Sequence, residues 1–234
     1  MSLSLVWDGR PHFFESRSKR GGAVHHNARL VKRVQSHIHL VCFEVLGAEP
    51  IHYAILKVAR NADEIDALEK EAFLYENQLK SIRGKYVPEY YGIYHGEVRG
   101  SQVACMLLEY CVGERIPSDE RNRKIMLAAC AVHAAGLEHC DLLSGHNLIM
   151  SGKDVKIVDF GNAIPHRCHN GTPTLHPGRG GRLDGCRELM DLEAAYGVFS
   201  GNAFPEPTPF TMNPFAEGNP FHVFARRVVD MIKP

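Results

Sequence analysis

Apolar positions fall into short runs from residue 28 onward, and their period changes along the chain. Segments 28–34, 38–46 and 51–59 are rich in Val, Ile and Leu and are separated by short polar turns, Gln35-Ser36-His37 being the first. That pattern predicts three strands in an antiparallel meander. Over 63–80 the period becomes helical, with Ile65, Leu68, Ala72, Tyr75 and Leu79 on one face. Asp63 is placed to cap this helix, and Glu64 puts negative charge in its first turn. Two further strands, 90–95 and 102–109, flank a turn over 96–101. Five strands and one helix make a first lobe over 28–109.

Residues 110–113 break the strand pattern. A long helix is predicted over 119–135, with Ser118 as its cap, Asp119 and Glu120 in the first turn, and Gly136 as a left-handed stop. Two short strands, 147–150 and 155–158, then surround the turn 151–154. Segment 166–185 is rich in Gly, Pro, Thr and Arg and reads as a loop. A helix follows over 186–199, an irregular stretch over 201–219, and a helix over 221–232 with Phe221, Phe224, Val228 and Ile232 on one face. The first 27 residues read as a polar lead-in whose basic cluster (Arg17, Lys19, Arg20) is too small for a binding tail.

Composition narrows the function classes. The 27 basic and 27 acidic residues balance, which argues against a nucleic-acid or anionic-membrane partner. The seven cysteines are odd in number and unpaired in spacing, fitting a reducing compartment better than a disulfide framework. No run reaches the length of a signal peptide core or a membrane span, so the expectation is a cytoplasmic protein, with the nucleus as an alternative.

The chemistry concentrates in VHAAGLEHCDLLSGHNLIMSGKDVKIVDFG, residues 132–161. His139, Asp141, Asn147 and Asp159 stand on either side of a tight hairpin, which lets two carboxylates and a carboxamide converge. Phosphoryl transfer from a magnesium nucleotide needs such oxygen ligands and an acceptor for a hydroxyl proton. Upstream, Lys57 sits in the strand AILKVAR and Glu71 near the buried edge of the helix. Alone, each reads as an ordinary surface charge. His166, Cys168, His169, His176 and Cys186 include zinc-type ligands, but no tidy pairwise spacing links them, and a loop with incidental His and Cys is the simpler reading.

His-x-Asp, then Asn, then Asp-Phe-Gly, preceded by AILK and a helical glutamate, resembles the protein-kinase-like superfamily over 28–163. His166-Arg167-Cys168 and the later Cys186-Arg187-Glu188-Leu189 are similar to divergent kinase-like proteins of fungi. The resemblance implies a bilobal α+β fold: an antiparallel five-stranded sheet with one helix, a hinge at 110–113, and a mainly helical, curtailed C-terminal lobe over 114–234. It implies ATP and magnesium as cofactors. Lys57 would hold the α- and β-phosphates, fixed in place by an ion pair with Glu71, and Glu109 and Cys111 would border the nucleotide at the hinge. Asn147 and Asp159 would bind metal, Asp141 would be the catalytic base, and His139 would brace the loop.

Several positions depart from that pattern. The first turn has no glycines, Cys140 replaces an arginine, and Leu143 replaces a phosphate-contacting lysine. Asn147 lies one residue further from Asp141 than usual, a step that a bulge at Ser144-Gly145 would absorb. Three readings therefore stand side by side. The first is a phosphotransferase acting on a hydroxyl, foremost Ser or Thr of a protein. The second is a pseudokinase serving as a nucleotide-binding or interaction module, and the third a small-molecule kinase similar to aminoglycoside and choline kinases.

Overall fold

The computed structural model describes residues 1–16, 25–45, 52–168 and 186–197. Two compact units emerge: Met1–Gly84 with Pro88–Tyr110, and Lys85–Val87 with Cys111–Pro234.

The first unit begins where a polar lead-in was expected. Strand β1 (Ser2–Trp7) and strand β2 (Arg10–Glu15) form a hairpin in register from Ser2↔Glu15 to Trp7↔Arg10. Asp8 and Gly9 both take positive φ, 51° and 74°. An Asp-Gly pair with that geometry suits a two-residue turn that matches strand twist. Strands β3 (His25–Arg33), β4 (Ile38–Val45) and β5 (His52–Ala59) follow as the expected meander. Helix α1 (Ala62–Glu76) then leads to β6 (Tyr90–Val98) and β7 (Ser101–Glu109). The β6–β7 turn is only Arg99-Gly100, again at positive φ, so β6 runs three residues past the predicted end.

The seven strands close into a barrel in the order β1-β2-β6-β7-β5-β4-β3, the parallel β1–β3 pair completing the ring. This overturns the expectation of a bilobal kinase-like fold built on an open five-stranded sheet. Among the described residues, eleven strands accompany three α-helices. The physical reason lies in β1 and β2. A five-stranded sheet leaves β3 and β6 with unpaired edges, and the N-terminal hairpin covers both at once.

Every strand sends alternate side chains into one core. Leu3 and Leu5 come from β1, Phe14 from β2, Ala28 from β3, and Val41 and Phe43 from β4; Leu56, Tyr94 and Leu107 are among those from β5, β6 and β7. Helix α1 packs on the outer face of β5, β6 and β7. Strand β7 is thus covered on both sides, which explains its unbroken apolar run from Val103 to Leu108. Asn61, not Asp63, caps α1: its side chain accepts the Glu64 N–H at 2.9 Å, and Glu64 Oε2 accepts the Arg60 N–H at 2.8 Å.

In the second unit, α2 (Ser118–Ala134) ends at Gly136 with φ 87°, as its sequence predicts. Its first residue, Ser118, makes no side-chain cap, and Pro117 occupies the capping position. Short strand β8 (Leu137–Glu138) pairs with β11 (Ile164–Pro165), and β9 (Leu148–Ser151) pairs with β10 (Asp154–Ile157). Helix α3 (Arg187–Tyr196) lies inside the expected 186–199 segment and packs on α2. In place of a mainly helical lobe, the described part interleaves two helices with two strand pairs. The predicted irregular stretch 201–219 and helix 221–232 lie outside the described residues. No helix among the described residues is long and apolar enough to cross a membrane.

Candidate functional site

Strand alternation decides where Lys57 stands. On β5, Ala54, Leu56 and Val58 face the barrel core, so Lys57 faces outward, toward α1. There its Nζ donates to both Glu71 oxygens, at 2.8 and 2.9 Å. Lys57 is 13% exposed and Glu71 4% exposed, so this is a nearly dry ion pair. Such a pair holds its two elements in fixed register, because separating the charges leaves one of them buried without compensation.

The glycine-free turn between β3 and β4 folds back on itself. Val34 and Gln35 donate their N–H groups to the Ile38 carbonyl, and the His37 carbonyl accepts from Val58 N–H. Those two amides are committed within the protein. Glu109 ends β7. Its N–H donates to the Glu89 carbonyl at 2.9 Å, while its carboxylate accepts the Glu89 N–H at 2.9 Å. Cys111 is buried in the second unit. Neither residue gains a specific role from these contacts.

His139, Asp141 and Asn147 lie in the second unit, on the loop after β8. His139 is fully buried. Its Nε2 bonds the Val158 carbonyl at 2.9 Å and its ring meets Phe160 edge-on at 4.9 Å, which is the bracing role expected of it. Asp141 is exposed, and the Asn147 carboxamide nitrogen donates to both its carbonyl, at 2.8 Å, and its Oδ2, at 3.1 Å. The extra residue between them is absorbed at Gly145, which adopts φ 73°. A side chain there would be strained.

Asn147 spends its N–H₂ on Asp141, which leaves Oδ1 as its acceptor atom. The Asn147 carbonyl accepts the Val158 N–H at 3.0 Å, so the next residue, Asp159, is tied to the same loop. Asp159 is exposed and left-handed, with φ 66°, a sparsely populated conformation that sites tend to retain. A carboxamide oxygen and carboxylate oxygens form a donor set that suits a hard divalent cation such as magnesium. Asp141, Asn147 and Asp159 are therefore gathered on one loop system.

Glu188 was missed by sequence reasoning. It is 8% exposed in the first turn of α3. Its Oε2 accepts the His139 N–H at 3.0 Å and lies 2.7 Å from His133 Nε2, and its Oε1 accepts the Cys140 N–H at 2.6 Å. Burial, the strongest single influence, pushes its pKa up. The hydrogen bond to His133, the two backbone amides and the charge on His133 together outweigh it and hold the carboxyl below its usual range. In sequence, a glutamate in a first turn reads as a dipole partner; only its place beside buried Leu189 and Leu192 hints at more. The loop it holds includes Cys140, which sits at φ 68°.

His166, Cys168 and Cys186, named on sequence, do come together, with His133 of α2 as the fourth member. His133 carried no signal beyond its place on an apolar helix face. His169 and His176 lie outside the described residues. Compared with protein-family models and with curated proteins, the chain matches none.

Proposed function

We propose that the protein is an ATP-dependent phosphotransferase that moves the γ-phosphate of magnesium-ATP to a hydroxyl, with Ser or Thr of a protein as the acceptor. The observation that carries this reading is the Asn147 lock on Asp141, with Asp159 tied into the same loop through Val158. Asp141 then orients the attacking hydroxyl and takes its proton. The hydroxyl oxygen forms the new bond to the γ-phosphorus as the bond to the β-phosphate oxygen breaks and ADP leaves. Asn147 and Asp159 hold magnesium, which neutralises charge on the transferring group. Lys57, fixed by Glu71, meets the α- and β-phosphates, and its charge stabilises the developing negative charge. The seven free cysteines fit a reducing, cytoplasmic setting.

A second reading has its own support. The committed amides of Val34 and Gln35 take two donors from the turn that usually covers the phosphates, which favours a nucleotide-binding or interaction module with little turnover. Thermal melting with magnesium-ATP separates the two. Saturation at a hundredfold over the dissociation constant adds about 2.7 kcal/mol, a rise of roughly 5–10 °C for a chain of this size. Asp159→Asn should remove that rise, and Lys57→Met should reduce it. Phosphate transfer to protein or small-molecule acceptors that disappears in Asp141→Asn supports the enzyme. A melting shift with no transfer to any acceptor selects the module. No shift at saturating nucleotide overturns the enzyme reading and leaves an interaction module that binds no nucleotide.

A further inference from the structure

His133, His166, Cys168 and Cys186 reach one another from three segments distant in sequence. His133 lies in the last turn of α2. The β8–β11 pair returns the chain beside it and delivers His166 and Cys168, and Cys186 is the residue on which α3 begins. One ligand atom from each residue lies within 4.8 Å of the other three. The two imidazoles meet at 5.1 Å with their planes at 80°, and Cys186 Sγ lies 3.5 Å from His133 Nδ1. Tetrahedral zinc, with bonds of about 2.3 Å to sulfur and 2.0–2.1 Å to nitrogen, sets its ligand atoms roughly 3.3–3.8 Å apart. The Cys186–His133 separation already falls in that range, and the widest separation must close by about 1 Å.

The ring nitrogens divide in a way that a metal explains. His133 turns Nε2 to the Glu188 carboxylate at 2.7 Å, which leaves Nδ1 for the cluster. His166 turns Nδ1 toward Glu138 Oε2 at 3.6 Å, and its Nε2 is buried with no hydrogen-bond partner. His133 thus has a hydrogen-bonded carboxylate behind it and His166 one at ion-pair distance, and each turns its other nitrogen to the cluster, where His133 Nδ1 meets Cys186 Sγ and His166 Nε2 meets no partner. That is the outer-shell arrangement that fixes the tautomer of metal-bound histidine and raises its basicity. A buried imidazole nitrogen without a partner is otherwise a cost with nothing to offset it.

We propose that these four residues bind one structural zinc ion. On binding, the two thiols release their protons to solvent, so two thiolates balance the divalent charge and the site is neutral. All four ligand positions are filled by protein, which is the mark of a structural rather than a catalytic zinc. Glu188 gives the ion a second effect: the carboxylate that backs His133 also holds the His139 and Cys140 amides. Zinc therefore fixes the loop that carries Asp141. The inference stands apart from the phosphotransfer reading, since every contact it uses is present whatever the loop does.

The full chain, purified without chelator and analysed for metal, should carry one zinc per molecule. Cys168→Ser and Cys186→Ser should each lose it, while Cys42→Ser and Cys140→Ser keep it. Cobalt substitution of the intact chain should give thiolate charge-transfer bands and the visible bands of a tetrahedral site. That measurement decides the matter even where a serine variant fails to fold. Absence of stoichiometric metal after zinc supplementation overturns the proposal. So does zinc retained by the Cys168→Ser/Cys186→Ser double variant, or a Cys168–Cys186 disulfide in freshly purified protein.

Discussion

Glu188→Gln tests how the loop bearing Asp141 is held. The wild-type carboxylate is a pure acceptor, and its partners are the backbone N–H groups of His139 and Cys140 and the Nε2 of His133, at 3.0, 2.6 and 2.7 Å. Glutamine has nearly the same shape but only one acceptor oxygen, and its N–H₂ must face at least one of those donors. One buried donor is then unsatisfied, at about 1–3 kcal/mol, and a charge-assisted bond of roughly 1.5–3 kcal/mol is lost with it. A destabilisation of about 3–5 kcal/mol is expected, with the damage centred on residues 139–141. Urea unfolding measures the total. Hydrogen exchange at the His139 and Cys140 amides measures the locality, and protection there should fall before that of the barrel strands. A loss under 0.5 kcal/mol, the range of an ordinary surface change, with unchanged protection at both amides, would refute the anchoring role of Glu188.

Two further outcomes test the barrel. Gly96 sits where β6 meets β2, a seam of only two registered pairs; a Cβ there would lie 2.6 Å from the Phe13 carbonyl oxygen and 2.7 Å from Phe14 Cδ1. A backbone oxygen cannot swing aside, so Gly96→Ala should cost about 1–3 kcal/mol and lower the melting temperature, whereas Gly100→Ala, with open space around its Cβ, should avoid the clash and suffer only from its positive φ. The second outcome concerns pH. Burial, aided by the charges of His25 and the N-terminus, lowers the His26 pKa, and burial with Arg60, Arg33 and His37 lowers that of His39. Both favour the neutral form more in the folded state than in the unfolded one. Their contribution is complete above the unfolded value of about 6.5 and is lost as pH falls through the folded values, by up to roughly 1.4 kcal/mol per pH unit for each group. Denaturant titrations between pH 7.5 and 5.5 should show a shallower decline for His26→Gln/His39→Gln than for the wild type, and equal slopes would contradict the burial argument.

Much of the local structure is legible in the residues themselves. Alternating Val, Ile and Leu mark β3, β4 and β5, because a sheet with one buried face needs a period of two, and an unbroken apolar run marks β7, which is covered on both sides. The spacing of Leu68, Ala72 and Tyr75 marks α1, and Gly136 marks the end of α2. The order of His139, Asp141, Asn147 and Asp159 nominates the candidate site. What remained hidden depends on partners far away in sequence. In Ser2–Trp7 the alternation of Leu3 and Leu5 and the Asp8-Gly9 pair are local signals of a hairpin; that both leucines are core is decided by β3 on one side and β2 on the other. That pairing turns an open sheet into a barrel, and no local pattern encodes closure. Glu188 and His133 look like a helix-start acid and an incidental helix histidine until α3 packs on α2. Sequence periodicity reports which face of an element is buried. Which charge or ligand waits on the other side of that face is decided only when the chain returns to it, 55 residues later in the case of His133 and Glu188.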